Sequence, residues 1–104
     1  MRKIYDKLVR DRIPEIIEAS GKKPVTRVAD DGEYESYLRQ KLVEEVEEYM
    51  DSGNPEELAD IMEVITALGR ASGVPFDALL DMADRKRHSR GGFNDKIILL
   101  HVDG

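Results

Sequence analysis

Apolar positions at Tyr34, Tyr37, Leu38, Leu42, Val46 and Tyr49 recur every three or four residues, and that spacing predicts a helix over about residues 31–50. Asp30-Asp31-Gly32-Glu33 supplies its start, an N-cap with an acid three residues on. Residues 58–68 are apolar on nearly every side and predict a second helix. Asn54-Pro55-Glu56-Glu57 opens it as a capping box, with Asn54 as N-cap, Pro55 at the first helical position and Glu57 at the third. The stretch between, Asp51-Ser52-Gly53-Asn54, is made of turn formers, so the two helices are expected to fold back as an antiparallel αα-hairpin.

The flanks carry weaker patterns. Pro14 opens a short helix over residues 15–19, closed by Ser20-Gly21. Gly69 to Gly73 ends or breaks the second hairpin helix, and Val74-Pro75-Phe76-Asp77 starts a last one with Phe76, Leu79, Leu80 and Met82 as its apolar members. Gly91-Gly92 then allows a tight reversal that Phe93 packs down. Residues 25–29 and 97–102 are the strand-like runs, and a small two-stranded ribbon lying on the helices is expected from them. The fold class is therefore all-α, a single domain over residues 1–104 with the helical hairpin at its centre.

Composition narrows the function classes. A formal charge of -6 argues against a broad grip on a nucleic-acid polymer, which needs many Lys and Arg contacts to phosphates. No apolar run is long enough to span a bilayer, and the first residues lack the apolar core of a signal peptide, so a cytoplasmic protein is expected. The absence of cysteine removes disulfides, thiol nucleophiles and zinc–thiolate sites. His88 and His101 are read as surface or packing residues.

The chemistry gathers on the hairpin. Glu45 and Glu48 are three apart and so share one helix face, as do Glu57 and Asp60. In an antiparallel hairpin facing residues have a constant index sum, which sets Glu45 against Asp60 and Glu48 against Glu57. Two like charges about 5 Å apart repel by roughly 3 kcal/mol at an effective dielectric near 20. Such a cluster must hold protons, draw in basic side chains or bind a divalent cation. An all-carboxylate set without Cys or His favours Mg²⁺, with Mn²⁺ as an alternative. Glu57 taken alone reads equally as a cap, and Glu44-Glu45-Val46-Glu47-Glu48 as a solvated face. Neither accounts for Asp60 or for the matched register.

Glu44-Glu45-Val46-Glu47-Glu48 followed by Glu57-Leu58-Ala59-Asp60 resembles the EExxE…ExxD signature of the MazG-like, all-α nucleoside triphosphate pyrophosphohydrolases, a superfamily that includes phosphoribosyl-ATP pyrophosphohydrolase. The interval from Glu48 to Glu57 is shorter than is usual there, while the signature itself is intact. Lys7-Leu8-Val9-Arg10-Asp11-Arg12-Ile13-Pro14 and Arg90-Gly91-Gly92-Phe93 resemble the flanking motifs of a small subgroup.

The resemblance implies a homodimer or homotetramer whose subunits complete a helical bundle. It implies Mg²⁺-dependent cleavage of a nucleoside triphosphate between its α- and β-phosphates, giving a monophosphate and pyrophosphate in nucleotide-pool house-cleaning. Glu45, Glu48, Glu57 and Asp60 are the expected metal ligands, with Glu44 as a further ligand or a support behind them and Glu44, Glu45 and Glu48 as the catalytic acids. Lys86 and Arg90, in the basic end of the last helix, are the first choices for the phosphates. Lys7, Arg10 and Arg12 either join them or pair across a subunit boundary. The alternatives that stay open are hydrolysis of phosphoribosyl-ATP and a non-catalytic acidic helical protein that binds a basic partner. A di-iron carboxylate bundle ranks last, because neither helix has the His such sites pair with Glu.

Overall fold

The structure is a computed structural model that describes residues 2–104. Four helices follow one another, α1 (Ile13–Ala19), α2 (Asp31–Ser52), α3 (Pro55–Ala71) and α4 (Phe76–Arg90), and among the described residues there is no strand. The chain is all-α, as its periodicity predicts.

Helices α2 and α3 form the expected hairpin and make the principal packing interface. The capping box at the start of α2 is complete: Glu33 N–H donates to the Asp30 carboxylate at 2.8 Å, and Asp30 N–H donates back to Glu33 at 3.1 Å. At its other end α2 runs two residues beyond the expected Met50. Only Gly53 and Asn54 then separate the helices. Gly53 makes so short a link possible by adopting φ 64°, a left-handed conformation that glycine takes without a side-chain penalty, while its N–H closes on Tyr49 O at 2.8 Å. Asn54 caps α3 by accepting from Glu56 N–H at 3.0 Å. The expected reciprocal bond from Glu57 is not among the contacts, so its carboxylate is left to face the other helix.

Leu38 of α2 and Val64 of α3 are the buried apolar side chains, and Gly69 is buried with them. Helix α3 ends at Ala71, within the expected Gly69 to Gly73 stretch, after passing through Gly69 itself. A Cβ at this position would stand 2.7 Å from Val74 O and 2.8 Å from Leu79 Cδ1, so the missing side chain lets the α3–α4 turn close. Of the expected α2 stripe, Leu42 and Tyr49 are half-buried and Val46 lies exposed.

Two expectations fail, for a common reason. Residues 25–29 and 97–102 form no strand, and Val25 and Val28 are almost fully exposed. Arg27 instead ties its segment to the start of α2, donating to both oxygens of Glu33 at 3.0 and 2.8 Å. Phe93 does not pack the chain down; it is 98% exposed. Helix α4 touches α3 alone among the helices, so nothing within one chain lies beside its far end to receive Phe93 or the segment after it.

The molecule is accordingly elongated, 61 × 31 × 25 Å with a radius of gyration of 18.3 Å, where a compact chain of this length has about 13 Å. Its accessible surface is 9502 Å², against about 5,900 Å² for a folded monomer of 11.8 kDa. No helix is long and apolar enough to cross a membrane.

Two expected outcomes follow from these packing and capping contacts. Gly69→Ala should destabilise the chain by about 1–3 kcal/mol in denaturant unfolding, because the clash involves a backbone oxygen and outweighs the helix-propensity gain of at most about 1 kcal/mol. Glu33 is held down at about 2, below its ordinary 4.5, first by Arg27 and then by Asp30 N–H. Between these values the unfolded chain binds more protons than the folded one, so the contribution is complete above about 4.5 and is lost as pH falls toward 2. Glu33→Gln should flatten the acid limb of the stability curve in that window.

Candidate metal centre

The hairpin register brings three carboxylates together. Glu45 from α2 and Glu57 and Asp60 from α3 each offer one oxygen, and the three oxygens lie within 4.8 Å of one another. Ligands about 2.1 Å from an octahedral cation lie about 3–4.2 Å apart, so a small rotation of these side chains fits the group to an ion. The group can hold a metal ion.

Glu45 is the centre of the arrangement. It is 7% exposed, the one buried charged residue among those described, and its Oε2 has no hydrogen-bond partner. Its other oxygen lies 3.4 Å from Lys41 Nζ. Burial is the main cause that pushes its carboxyl above the ordinary range, the nearby Glu48 adds to it, and Lys41 opposes both. A buried acid with an unanswered oxygen beside other acids has room for a positive partner.

Around the three ligands the chain supplies its own cations. Lys7 Nζ donates to Glu44 Oε1 at 2.9 Å, and Lys41 Nζ approaches Glu44 Oε2 at 3.6 Å. Glu44 is held below the usual carboxylate range, chiefly by Lys7, and Lys7 is raised in turn, chiefly by Glu44. Arg10 Nη2 donates to Asp60 Oδ1 at 2.7 Å. Of the three ways to relieve the cluster, the chain uses basic side chains that reach in.

Beside the acids lies a cleft of about 460 Å³ between the N-terminal arm and the hairpin. Leu8, Val9, Ile16, Tyr34, Leu38 and Val64 form its apolar wall, and Arg10, Lys41, Glu45 and Asp60 bring charge into it. That volume falls in the range of small-ligand sites. The pairing of an apolar wall with clustered charge suits a ligand that has both characters.

The expected site residues divide accordingly. Glu45, Glu57 and Asp60 meet; Glu48 is exposed and stands outside the group of three, close enough to act on Glu45. Glu44 faces Lys7 and Lys41 rather than the three ligands. Arg12 borders the cleft, but its guanidinium is turned back onto Glu15, at 3.1 Å from Nε and 2.8 Å from Nη2. Lys86 and Arg90 sit on the exposed end of α4, neither lining the cleft nor bonding any member of the cluster. Lys41 is the residue that sequence reasoning missed, although its spacing of three and four to Glu44 and Glu45 was there to be read. The anchor of the arm on α2, Tyr37 hydroxyl donating to Asp6 Oδ1 at 3.1 Å, left no sequence signal.

Comparisons with known proteins add little to this geometry. No family model matches the chain, and no solved structure does. A stretch of 41 residues, 39% of the chain, is 61% identical to an uncharacterized protein of Mycolicibacterium smegmatis, where it spans 42% of that relative's length.

Glu45→Gln gives a direct check on the buried acid. Without metal it should raise the melting temperature by several degrees, about 1 kcal/mol, since it removes a poorly solvated charge. It should also weaken any stabilisation by divalent cations. A lower melting temperature without metal would mean that Glu45 is a structural partner of Lys41 and nothing more.

Proposed function

We propose that the chain is a Mg²⁺-dependent nucleoside triphosphate pyrophosphohydrolase of the MazG-like, all-α kind, acting on the nucleotide pool in the cytoplasm. The observation that carries this reading is the juxtaposition of Glu45, Glu57 and Asp60, one with a buried unpartnered oxygen, and a cleft that mixes apolar with acidic and basic side chains. Glu45, Glu57 and Asp60 would hold the metal, Mn²⁺ being the alternative, with Glu48 at the rim available as a further oxygen donor. When bound, the ion neutralises phosphate charge and lowers the pKa of a coordinated water. The apolar wall receives the base and sugar, and Lys41, Lys7 and Arg10 are the cations in reach of the phosphates. Glu44, kept ionised by Lys7, would hold Lys7 and Lys41 beside the ion. The water oxygen would form a bond to one of the two phosphorus atoms and give up a proton to bulk water, while the α–β anhydride bond breaks with its electron pair staying on the bridging oxygen of the departing phosphate, yielding monophosphate and pyrophosphate.

The same geometry serves phosphoribosyl-ATP, since the anhydride bond is the same and only the base pocket differs. The binding-protein alternative is disfavoured by the ion pairs, because Glu44, Glu45 and Asp60 are already engaged by bases of this chain and offer little to a basic partner. Assembly as a homodimer or homotetramer is part of the proposal. It is supported by the surface of 9502 Å², about 3,600 Å² more than a self-contained chain exposes, of which a permanent subunit interface would cover a large part.

Pyrophosphate release from a panel of triphosphates and phosphoribosyl-ATP, with Mg²⁺ and with EDTA, tests the reading. Turnover should require metal, and Asp60→Asn should lower it by about 10²-fold or more, the scale of losing one preorganised charge-stabilising group. Hydrolysis unaffected by EDTA, or none with any substrate and metal from folded protein, would overturn it.

A further inference from the structure

The arm before α1 is fastened to the hairpin by three polar contacts, one of which ends on an acid of the candidate centre and another on Glu44 beside it. Asp6 accepts from Tyr37 at 3.1 Å, Lys7 donates to Glu44 at 2.9 Å, and Arg10 donates to Asp60 at 2.7 Å. Asp6 takes φ 44°, an uncommon conformation for a residue with a side chain, at the point where the arm is anchored. Asp60 is thus both one of the three oxygen donors and the mooring of Arg10.

Resting on the metal-site reading, we infer that residues 6–10 are a built-in counter-ion that competes with the divalent cation for the centre and is handed on to the phosphates of the ligand. A cation on Asp60 lies within a few ångströms of the Arg10 guanidinium even when the two use different oxygens, and at that range like charges repel strongly in a partly buried site. Binding of metal therefore loosens the arm. An incoming polyphosphate brings several anionic oxygens, and Arg10 and Lys7, no longer matched by the acids, have new partners with bidentate geometry open to the guanidinium. The arm thus makes metal and polyphosphate bind cooperatively: each is weak alone, and each removes an obstacle to the other. Lys41 takes no part in this exchange, because it is fixed to the same helix as Glu44 and Glu45.

The centre itself rests on more than clustered acids. The buried, unpartnered Oε2 of Glu45 is independent of the arm and is the atom that no base in the chain answers.

The test is calorimetric titration of the full chain with Mn²⁺ alone, at low salt and at high salt, for wild type, Arg10→Gln, Tyr37→Phe and Asp60→Asn, followed by titration of a non-hydrolysable α,β-methylene triphosphate at saturating Mn²⁺. Arg10→Gln should bind Mn²⁺ about two- to fivefold more tightly at low salt, the range of an exposed ion pair, and the difference should shrink as salt screens the competition. The same variant should bind the triphosphate several-fold more weakly. Tyr37→Phe loosens the arm without altering any charge at the centre, and it should tighten Mn²⁺ binding in the same direction by a smaller factor. This second variant keeps the test open if Arg10→Gln folds poorly.

Unchanged or weaker Mn²⁺ binding in both arm variants, with Asp60→Asn abolishing it, would overturn the counter-ion role and leave the metal centre standing. No Mn²⁺ binding by folded wild type would overturn both.

Discussion

A carboxylate removed from water must find a positive partner or a proton, and the position of Glu45 imposes that requirement on everything around it. Glu45 cannot be moved to the surface by a rotation of its helix. It lies two turns beyond Leu38, on the stripe that the hairpin buries against Val64. Turning it outward would expose the little core the chain has. The surrounding charges read as consequences: Lys41 one turn back along α2, Lys7 on Glu44, Arg10 on Asp60. They neutralise the group only in part, since Oε2 of Glu45 is still without a partner.

The second constraint is surface. A chain that among its described residues buries only Leu38, Val64 and Gly69 with Glu45 has too few apolar contacts to offset the conformational entropy of ordering some hundred residues. Leu58, Met62 and Ile65 stand on one flank of α3, and Leu80 and Met82 on α4, all substantially exposed. These belong to helices with regular hydrogen bonding, α3 being capped by Asn54 while α4 has no side-chain cap. The helices are complete as local structures, whereas the packing that would stabilise them is not complete within one chain. That mismatch is what the proposed assembly with further copies accounts for.

What the sequence revealed follows the range of the interactions concerned. The hairpin was legible because its causes are local: apolar spacing in α2, the N-cap at Asn54, turn formers between. The facing of Glu45 and Asp60 followed from register alone, and the two do share a site. The exclusion of Glu48 from the group was not legible, since index sums fix which turns face each other and say nothing of which side chain sits at the rim. The end of α3 within Gly69 to Gly73 was legible, but the close approach of Val74 and Leu79 that needs a glycine at Gly69 was not, because no local pattern encodes it. The ribbon failed similarly. β-Branched runs report a willingness to be extended, and pairing needs a neighbour that residues 25–29 and 97–102 do not have within one chain.

The basic residues show how function depends on both constraints together. Lys86 and Arg90 share a highly charged helix end with Arg85 and Arg87, and a single chain leaves all of them on the exposed end of α4, away from the cleft. Within the chain, only Lys7, Arg10 and Lys41 have cationic groups on the acids, and each is already committed to one. A triphosphate bound with a single divalent ion still carries net negative charge, so the free chain would have to release its own ion pairs to hold it. Bases on α4 could contribute without that exchange, but only if assembly with another copy carried them to the cleft. The exchange of Arg10 between Asp60 and phosphate and the arrival of bases by assembly are therefore separate ways of meeting one charge requirement. They differ in what they demand of the isolated chain: the first operates in a monomer, and the second cannot.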